Sequence, residues 1–232
     1  MPSTCTPICG DGIFVAGEIC DDGNTSDLDK CLGNCMGPVP GYSCLPGTLT
    51  SPSTCTEVCG DAILTPSEHC DDDFSTPGDG CSATCQIETG YSCINTPMPS
   101  TCSPICGDGR RVGNEYCDDG NTNGATLCNQ FCTAPALGYG CTGGNVNTAS
   151  TCVPVCGDGI TTTEEECDDF DMNNTDLDGC DHLCFKEPGW TCSKLANLTS
   201  VCTPICGDTR VVAGEICDDG VNSGIAGCLS TC

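Results

Sequence analysis

The side chains able to do chemistry in this 232-residue chain are its 29 cysteines and its 33 aspartate and glutamate residues. Cysteine at more than a tenth of all positions indicates a disulfide framework. Only 4% of the residues are aromatic, so burial of apolar surface alone cannot stabilise the chain. Because cytosolic glutathione keeps thiols reduced, the sequence predicts an oxidising compartment, extracellular or secretory.

The charge of the chain excludes two classes of partner. Six Lys and Arg residues oppose 33 acidic ones, which gives a formal net charge of −27. Binding to nucleic acid or to an anionic membrane requires clustered Lys and Arg, so we expect no nucleic acid and instead expect cations as partners. No apolar stretch approaches the roughly 18 residues of a membrane helix, so we expect no membrane insertion within this sequence.

The strongest pattern is an internal repeat. Cys-Gly-Asp recurs at Cys9, Cys59, Cys106, Cys156 and Cys206, at intervals of 50, 47, 50 and 50 residues. A fixed period of this size is typical of tandem arrays. The sequence starts and stops inside repeats, so we interpret it as a window on a longer, exported protein. The predicted boundaries are residues 1–8 for the end of a preceding repeat, 9–58, 59–105, 106–155 and 156–205 for four complete repeats, and 206–232 for a truncated fifth.

The number of cysteines constrains the disulfide pairing. Each complete repeat has six, the truncated fifth has four, and Cys5 occupies the sixth position of the preceding repeat, so we expect Cys5 to bond upstream. The last four cysteines can pair among themselves only if the fifth and sixth cysteines of every repeat pair together. The pairing of the first four positions stays open, because the sequence does not choose among the alternatives. The favoured pairs are Cys44–Cys55, Cys93–Cys102, Cys141–Cys152 and Cys192–Cys202.

The repeats are too rich in turn-forming residues for long elements. We predict small disulfide-rich repeats, mostly irregular, with short β-strands and single helical turns, in a linear, rod-like array. Cys81 and Cys85 stand at i and i+4, which places both on one face of a helical turn, and Thr65-Pro66-Ser67-Glu68 is typical of a capped turn. Three-residue joints, usually with a central proline, predict stiffness. One aromatic residue per complete repeat is expected to cover a disulfide: Tyr42, Tyr91, Tyr139 and Trp190.

Several motifs together resemble a known repeat. Cys-Gly-Asp-Gly is followed by Gly-Glu-x-Cys-Asp-Asp-Gly-Asn, Asp-Gly-Cys-x-x-x-Cys and Gly-Tyr-x-Cys. This combination resembles the cysteine-rich CDDGN repeat of myxobacterial, ciliate and algal surface proteins, and the array looks like those of mastigoneme proteins, the glycosylated filaments of algal flagella. The resemblance covers essentially the whole chain and implies an extracellular, heavily glycosylated filament subunit. Asp73-Phe74, Phe170-Asp171 and Gly220-Val221 replace the Gly-Asn in three repeats, so any role of that Asn is not shared by all.

Acidic residues recur at fixed distances from the cysteines and are typical of a calcium site. An Asp two residues before the third cysteine occurs in three repeats, whereas Thr126 and Ala226 stand there in the others. Oxygen clusters on a rigid frame suit Ca²⁺, which takes about six to eight oxygen ligands. Alternatively, these side chains cap turns through hydrogen bonds to the backbone. The candidate ligands are Asp11, Glu18, Asp21, Asp22 and Asp29, then Asp61, Glu68, Asp71, Asp72 and Asp79, and finally Asp158, Glu165, Asp168, Asp169 and Asp178.

Other chemistries fit the sequence less well. The segment from Asp169 to Asn173 begins like an EF-hand loop but lacks the required glycine and bidentate glutamate. The cysteine spacing is unlike the paired Cys-x-x-Cys of zinc sites. His69 and His182 occupy unrelated positions in their repeats, so no catalytic base recurs, and we predict no enzyme and no catalytic residue. Three sequons predict N-linked glycans, at Asn24, Asn173 and Asn197. We also expect O-linked sugar on the loops rich in Ser, Thr and Pro.

These features predict a structural subunit of an extracellular glycosylated filament or cell-surface coat, which binds to copies of itself. The alternative is a calcium-dependent adhesive or ligand-binding ectodomain of a surface receptor. A third interpretation, a secreted protease inhibitor, requires one exposed and divergent reactive loop. We expect a secreted protein at a cell surface, flagellar appendage or cell coat, with Ca²⁺ as its one candidate cofactor.

Overall fold

The computed structural model describes residues 6–121, 127–170, 177–196, 198–221 and 227–228. Over these residues the chain forms four two-stranded antiparallel hairpins and no helix. Each hairpin carries the fifth and sixth cysteines of a repeat, and the remainder of each repeat consists of turns and bends. The strand pairs are β1 (Tyr42–Leu45) with β2 (Thr54–Glu57), β3 (Tyr91–Ile94) with β4 (Thr101–Pro104), β5 (Tyr139–Asn145) with β6 (Thr148–Pro154), and β7 (Trp190–Lys194) with β8 (Ser200–Pro204).

Contacts between residues divide the chain into two compact units. The first comprises Met1–Ile105 and Val112–Asn114, and it contains the hairpins β1–β2 and β3–β4. The second comprises Cys106–Arg111 and Glu115–Cys232, and it contains β5–β6 and β7–β8. Within each unit similar repeats follow one another along the chain, as in other tandem arrays.

Half-cystines form the interior of each repeat. The first cysteine bonds to the fourth, the second to the third and the fifth to the sixth, and the buried clusters consist of these sulfur-bearing residues. Crosslinks thus stand in for an apolar core. Cys206 is also disulfide-bonded, while Cys5 and Cys232 lie outside the described residues. The pairs are Cys9–Cys35, Cys20–Cys31 and Cys44–Cys55, Cys59–Cys85, Cys70–Cys81 and Cys93–Cys102, Cys106–Cys132, Cys117–Cys128 and Cys141–Cys152, Cys156–Cys184, Cys167–Cys180 and Cys192–Cys202, and Cys217–Cys228.

The disulfide between the fifth and sixth cysteines crosses each hairpin. Cys44 lies directly opposite Cys55 in the strand register, and their Cα atoms are 4.0 Å apart. The other three hairpins have the same arrangement. These are the pairs that the number of cysteines favours. The register accounts for them, because an antiparallel ladder holds opposed residues close enough for their sulfurs to meet.

The aromatic residue that begins a hairpin packs beside this disulfide. A Cβ atom placed on Gly80 would lie 2.8 Å from Cδ1 of Tyr91 and 2.4 Å from Cβ of Cys102. In the fourth repeat a Cβ on Gly179 would lie 2.9 Å from Cε3 of Trp190. The ring and the hairpin disulfide therefore both lie against the glycine that precedes the third cysteine, and any larger residue would displace them.

The predicted helical turn between the third and fourth cysteines is wrong. Cys81 lies in an isolated β-bridge with Ile87, and Cys85 has a φ of 51°, a left-handed conformation that no right-handed helix contains. The turn is closed by the Cys85 N–H, which donates to the Ser82 carbonyl at 2.8 Å. Each cysteine of the pair bonds to a different, distant cysteine, and a tight turn with one left-handed residue orients them for this.

The segment from Thr65 to Glu68 forms a single turn and not the predicted helical one. The Thr65 N–H donates to the Glu68 carboxylate at 2.8 Å, and the Glu68 N–H donates to the Thr65 carbonyl at 3.2 Å, as in a capping box. The turn ends there, because the next N–H, that of His69, donates across the repeat to the Cys85 carbonyl at 2.8 Å. A ladder of i to i−4 bonds therefore never starts.

Glycines bring neighbouring repeats into contact. A Cβ atom on Gly41 would lie 2.6 Å from Cγ2 of Thr65 in the next repeat, and one on Gly189 would lie 2.6 Å from Cγ1 of Val212. The two glycines have φ values of 91° and 94°, which L side chains rarely adopt. The Gly41 carbonyl also accepts the N–H of Val58 in the joint at 2.9 Å. At these joints the repeats therefore pack directly on one another.

Phe170 occupies a left-handed position that is glycine in three other repeats. Its φ is 71°, against 91° at Gly23 and 79° at Gly120. Because an L-residue in this conformation costs about 1–2 kcal/mol, we expect Phe170→Gly to be about 1 kcal/mol more stable than Phe170→Ala, which removes the ring but keeps Cβ. Denaturant unfolding with the disulfides intact measures the difference, and equal midpoints would contradict the expectation.

Candidate functional site

One buried aspartate organises the acidic part of the first repeat. Asp21 has 0% of its surface exposed. Its Oδ2 accepts the Gly10 N–H at 2.9 Å, and its Oδ1 accepts the N–H groups of Gly12 at 3.1 Å and Gly23 at 2.8 Å. The carboxylate thus joins the Cys-Gly-Asp-Gly and Cys-Asp-Asp-Gly motifs. Successive N–H groups around an anion form a nest, in which the anion here is the chain's own side chain.

The same carboxylate recurs in the other repeats. Asp71 accepts four backbone N–H groups within 3.3 Å, and Asp168 accepts three within 3.1 Å. Asp118 also accepts three, and the partly exposed Asp218 accepts four. A buried carboxylate destabilises a fold unless it is paired or hydrogen-bonded, and charge-assisted bonds from N–H groups provide this.

A serine outside the predicted site ties this aspartate to the hairpin. The Asp21 N–H donates to Oγ of Ser53 at 3.0 Å, and the Ser53 N–H donates to the Asp21 carbonyl at 2.6 Å. The same pair of bonds forms in the next three repeats. A Ser-x-Cys motif at each sixth cysteine is the signal that could have revealed it. The residues are Ser53, Ser100, Ser150 and Ser200.

Most of the other predicted calcium ligands accept hydrogen bonds from nearby backbone. Oδ1 of Asp11 accepts the Ile13 N–H at 2.9 Å, and Oδ2 of Asp22 accepts the Cys31 N–H at 3.2 Å. Bonds of this kind cap turns, as the alternative interpretation of the acidic residues expects. The others that accept the N–H one or two residues further on are Asp29, Asp61, Asp72 and Asp158.

The glutamate two residues before the second cysteine is only half satisfied. In Glu18, Glu68 and Glu165, Oε2 accepts the N–H three residues earlier at 2.8 to 2.9 Å. Oε1 of each is buried without a hydrogen bond, and so is Oδ1 of Asp178. Buried polar atoms nearly always have partners, so these oxygens have unused bonding capacity.

Two of the predicted ligands, Asp72 and Asp158, have raised pKa values. Burial raises the pKa of Asp72, and the negative charge of Asp79 adds to this rise. Burial likewise raises the pKa of Asp158. Asp169, which follows the buried Asp168, is itself half-buried. A cation would relieve such repulsion between carboxylates, and calcium at these clusters stays a prediction.

Groups of metal-ligating residue types occur inside the repeats, but their sulfurs are not available. Atoms of Glu18, Asp21 and Cys35 lie within 4.8 Å of one another, as do those of a group containing Glu68 and Cys85. Both cysteines are in disulfides, whereas the thiolate is the form that binds metal. These groups are therefore the packed interior of a repeat.

The first sequon is accessible. Asn24 is exposed, its Nδ2 donates to Oδ1 of Asp22 at 3.2 Å, and its Oδ1 accepts the Ser26 N–H at 2.7 Å. The other two, Asn173 and Asn197, lie outside the described residues. Glycosylation of all three stays a prediction.

The two histidines do not share an environment. The ring of His69 is hydrogen-bonded to the side chain of Gln86, and His182 is exposed in another repeat. The expectation that the protein is not an enzyme stays a prediction.

Hairpins, crosslinks and buried aspartates that recur along the chain define a tandem cysteine-rich repeat protein, as predicted. The sequence family described as a domain of unknown function (DUF4215) matches residues 2–36, 41–86, 88–133, 139–185 and 187–232. The chain belongs to this family and carries five copies of its domain. No curated protein matches the sequence.

Repeated disulfide-rich domains of this kind indicate an extracellular structural or surface protein. The many disulfides are consistent with secretion, because such bonds persist in oxidising compartments. In the part of the chain that the structure describes, no helix is long and apolar enough to cross a membrane.

Replacing the buried carboxylate tests its structural role. We expect Asp71→Asn to destabilise the second repeat by about 3 kcal/mol, because the new amide group turns donors toward backbone N–H groups. The matched variant Asp72→Asn removes the same charge from a carboxylate with one backbone bond, and we expect it to cost less than about 1 kcal/mol. Hydrogen exchange of the second repeat measures both. Equal stability of the two variants would contradict the role.

The fifth repeat should lose stability in acid. The N–H of Gly220, and after it those of Gly207 and Thr209, lower the pKa of Asp218. The resulting stabilisation is present above the unfolded pKa of about 3.9 and is lost as pH falls through the lowered folded value. Hydrogen exchange at Gly220 across acidic pH should report this loss, and Asp218→Asn should abolish the dependence. If the acid-dependent loss of protection persists in Asp218→Asn, another titrating group is its cause.

Proposed function

We propose that this protein is a structural subunit of an extracellular glycosylated filament or cell-surface coat. The observation that carries the proposal is the direct packing of one repeat on the next through glycine, at Gly41 on Thr65 and at Gly189 on Val212. Successive repeats at these joints have no flexible linker between them, so length and stiffness can serve as the function. The resemblance to mastigoneme-type arrays supports the same role.

The distribution of polar groups also favours a structural role. Each buried aspartate uses its carboxylate to hold two loops, and each serine of the Ser-x-Cys motif holds the hairpin to that aspartate. The most enclosed polar groups of a repeat therefore maintain its fold. The formal charge of −27 keeps the outer surface hydrated and repels non-specific association.

In the proposed role the surface of the protein carries N-linked glycans. Asn24 projects from an exposed turn in a sequon, and a glycan there would extend from the surface without displacing a buried group. Asn24→Gln is then expected to remove one enzyme-releasable N-glycan in a eukaryotic host, measured as a mass loss. Unchanged mass in the variant would exclude glycosylation at this turn.

A calcium-dependent adhesive or ligand-binding ectodomain is the second candidate. It is favoured by the buried, unbonded Oδ1 of Asp178, which a cation could use. This function requires calcium to change binding to a partner, whereas the filament role requires contact between copies of the protein.

Electron microscopy of the native, full-length protein separates the two roles. We expect ordered fibres with an axial period related to one repeat, because repeats of similar shape add at constant spacing. Loss of the fibres with a calcium chelator would make calcium structural. Dispersed single particles with and without chelator would contradict the filament proposal and favour the receptor ectodomain.

A further inference from the structure

The joint between the first and second repeats differs from the others. Its central residue is Glu57, where the equivalent joints have Pro7, Pro104, Pro154 and Pro204. Oε1 of Glu57 accepts the Ser67 hydroxyl at 2.7 Å and the Tyr42 hydroxyl at 3.4 Å. At two proline joints the position of Ser67 is a glycine, and a Cβ placed on that glycine would lie 3.2 or 3.5 Å from the proline Cγ. A polar pair thus takes the place that a proline–glycine contact has at those two joints.

Beside this pair lies a buried carboxylate oxygen without a hydrogen bond. Glu68 has 8% of its surface exposed, and its Oε1 has no hydrogen bond. The corresponding glutamates Glu18 and Glu165 also have a free Oε1, but their joints offer proline and no second carboxylate.

The two glutamates line one open pocket. The pocket has a volume of about 480 Å³ and is bordered by Glu57, Ser67, Glu68, Thr84 and Gln86, with Cys59 and Ala83. No Lys or Arg is among these residues.

We propose that this pocket binds a divalent cation, Ca²⁺, between the first and second repeats. The carboxylates of Glu57 and Glu68 and the hydroxyl oxygen of Ser67 would be its protein ligands, and water would complete the shell. An oxygen-only, doubly negative set suits this hard cation. Glu68 is shared with the acidic set predicted for the second repeat, whereas Glu57 and Ser67 lie outside that set. The site does not depend on the protein forming filaments.

The consequence is a joint that calcium stiffens. Glu57 lies at the end of the first repeat and Glu68 lies in the second, so one ion would tie the two together. Proline restricts the backbone at the equivalent joints without a ligand. Extracellular calcium modules have dissociation constants of about 10⁻⁴ to 10⁻³ M, and we expect a value in this range.

Terbium luminescence on the whole 232-residue protein tests the site. Tb³⁺ substitutes for Ca²⁺ and emits when an adjacent tyrosine is excited, and Tyr42 lies 3.4 Å from Oε1 of Glu57. We expect terbium emission that added Ca²⁺ reduces by competition. In Tyr42→Phe most of this emission should be lost, while the calcium affinity measured by calorimetry should stay within about threefold of that of the unsubstituted protein. Glu57→Pro, which installs the residue of the other joints, should weaken binding at least about tenfold.

Two further variants keep the test decisive. Glu57→Gln removes the charge but retains an acceptor for Ser67, so it should lose binding even if the proline variant misfolds. Glu164→Gln removes one exposed charge in the fourth repeat and should bind as the original does. Mapping of Cys44–Cys55 and Cys59–Cys85 checks folding. Equal calcium stoichiometry and affinity in the original protein and Glu57→Gln would overturn the proposal, and so would emission that persists in Tyr42→Phe.

Discussion

In each repeat a carboxylate accepts backbone N–H groups from two loops that are some ten residues apart in sequence, as Asp21 does from Gly10, Gly12 and Gly23. Loops rich in glycine have many conformations when unfolded, and their order must be stabilised by specific bonds. An ionised acceptor forms stronger bonds than a neutral one. The disulfides bring the loops near one another, and the aspartate selects their conformation. The acidic residues of the motif are thus partly explained by the fold itself.

The second constraint is the size of the available core. With sulfur in place of aliphatic side chains, each of the four complete repeats buries mainly half-cystines, an aspartate and a serine, and the first three also bury a glutamate. Three crosslinks over short loops reduce the entropy of the unfolded chain, by about 3 kcal/mol for a loop of about 15 residues in the loop-entropy account. Large side chains are then free to lie outside, and Leu28, Phe131 and Ile216 are largely exposed. Surface composition can therefore vary between repeats without loss of the frame.

The sequence predicted the features that follow from the number and the spacing of the cysteines: the tandem repeats and the disulfides of the hairpins, such as Cys44–Cys55. It could not predict the helical turns correctly, because the i and i+4 spacing of Cys81 and Cys85 suits a helix and a tight turn equally. The positive φ of Cys85 depends on the partner of each cysteine, which is long-range information. The role of Ser53 was missed for a different reason. Its Ser-x-Cys motif is visible in the sequence, but it bonds to the backbone of Asp21, and a backbone partner cannot be recognised from residue types.

In each complete repeat the second disulfide lies inside the loop closed by the first, the hairpin disulfide follows both, and none of these crosses another. Among the described cysteines they join residues 9 to 28 positions apart, always within one repeat. A chain that enters an oxidising compartment from its N-terminus can therefore complete one repeat before the cysteines of the next arrive. Mispairing is then limited to a choice among few neighbours, so repeats can be duplicated or deleted during evolution without a new pairing problem. An array of any length can mature at the pace of its own synthesis.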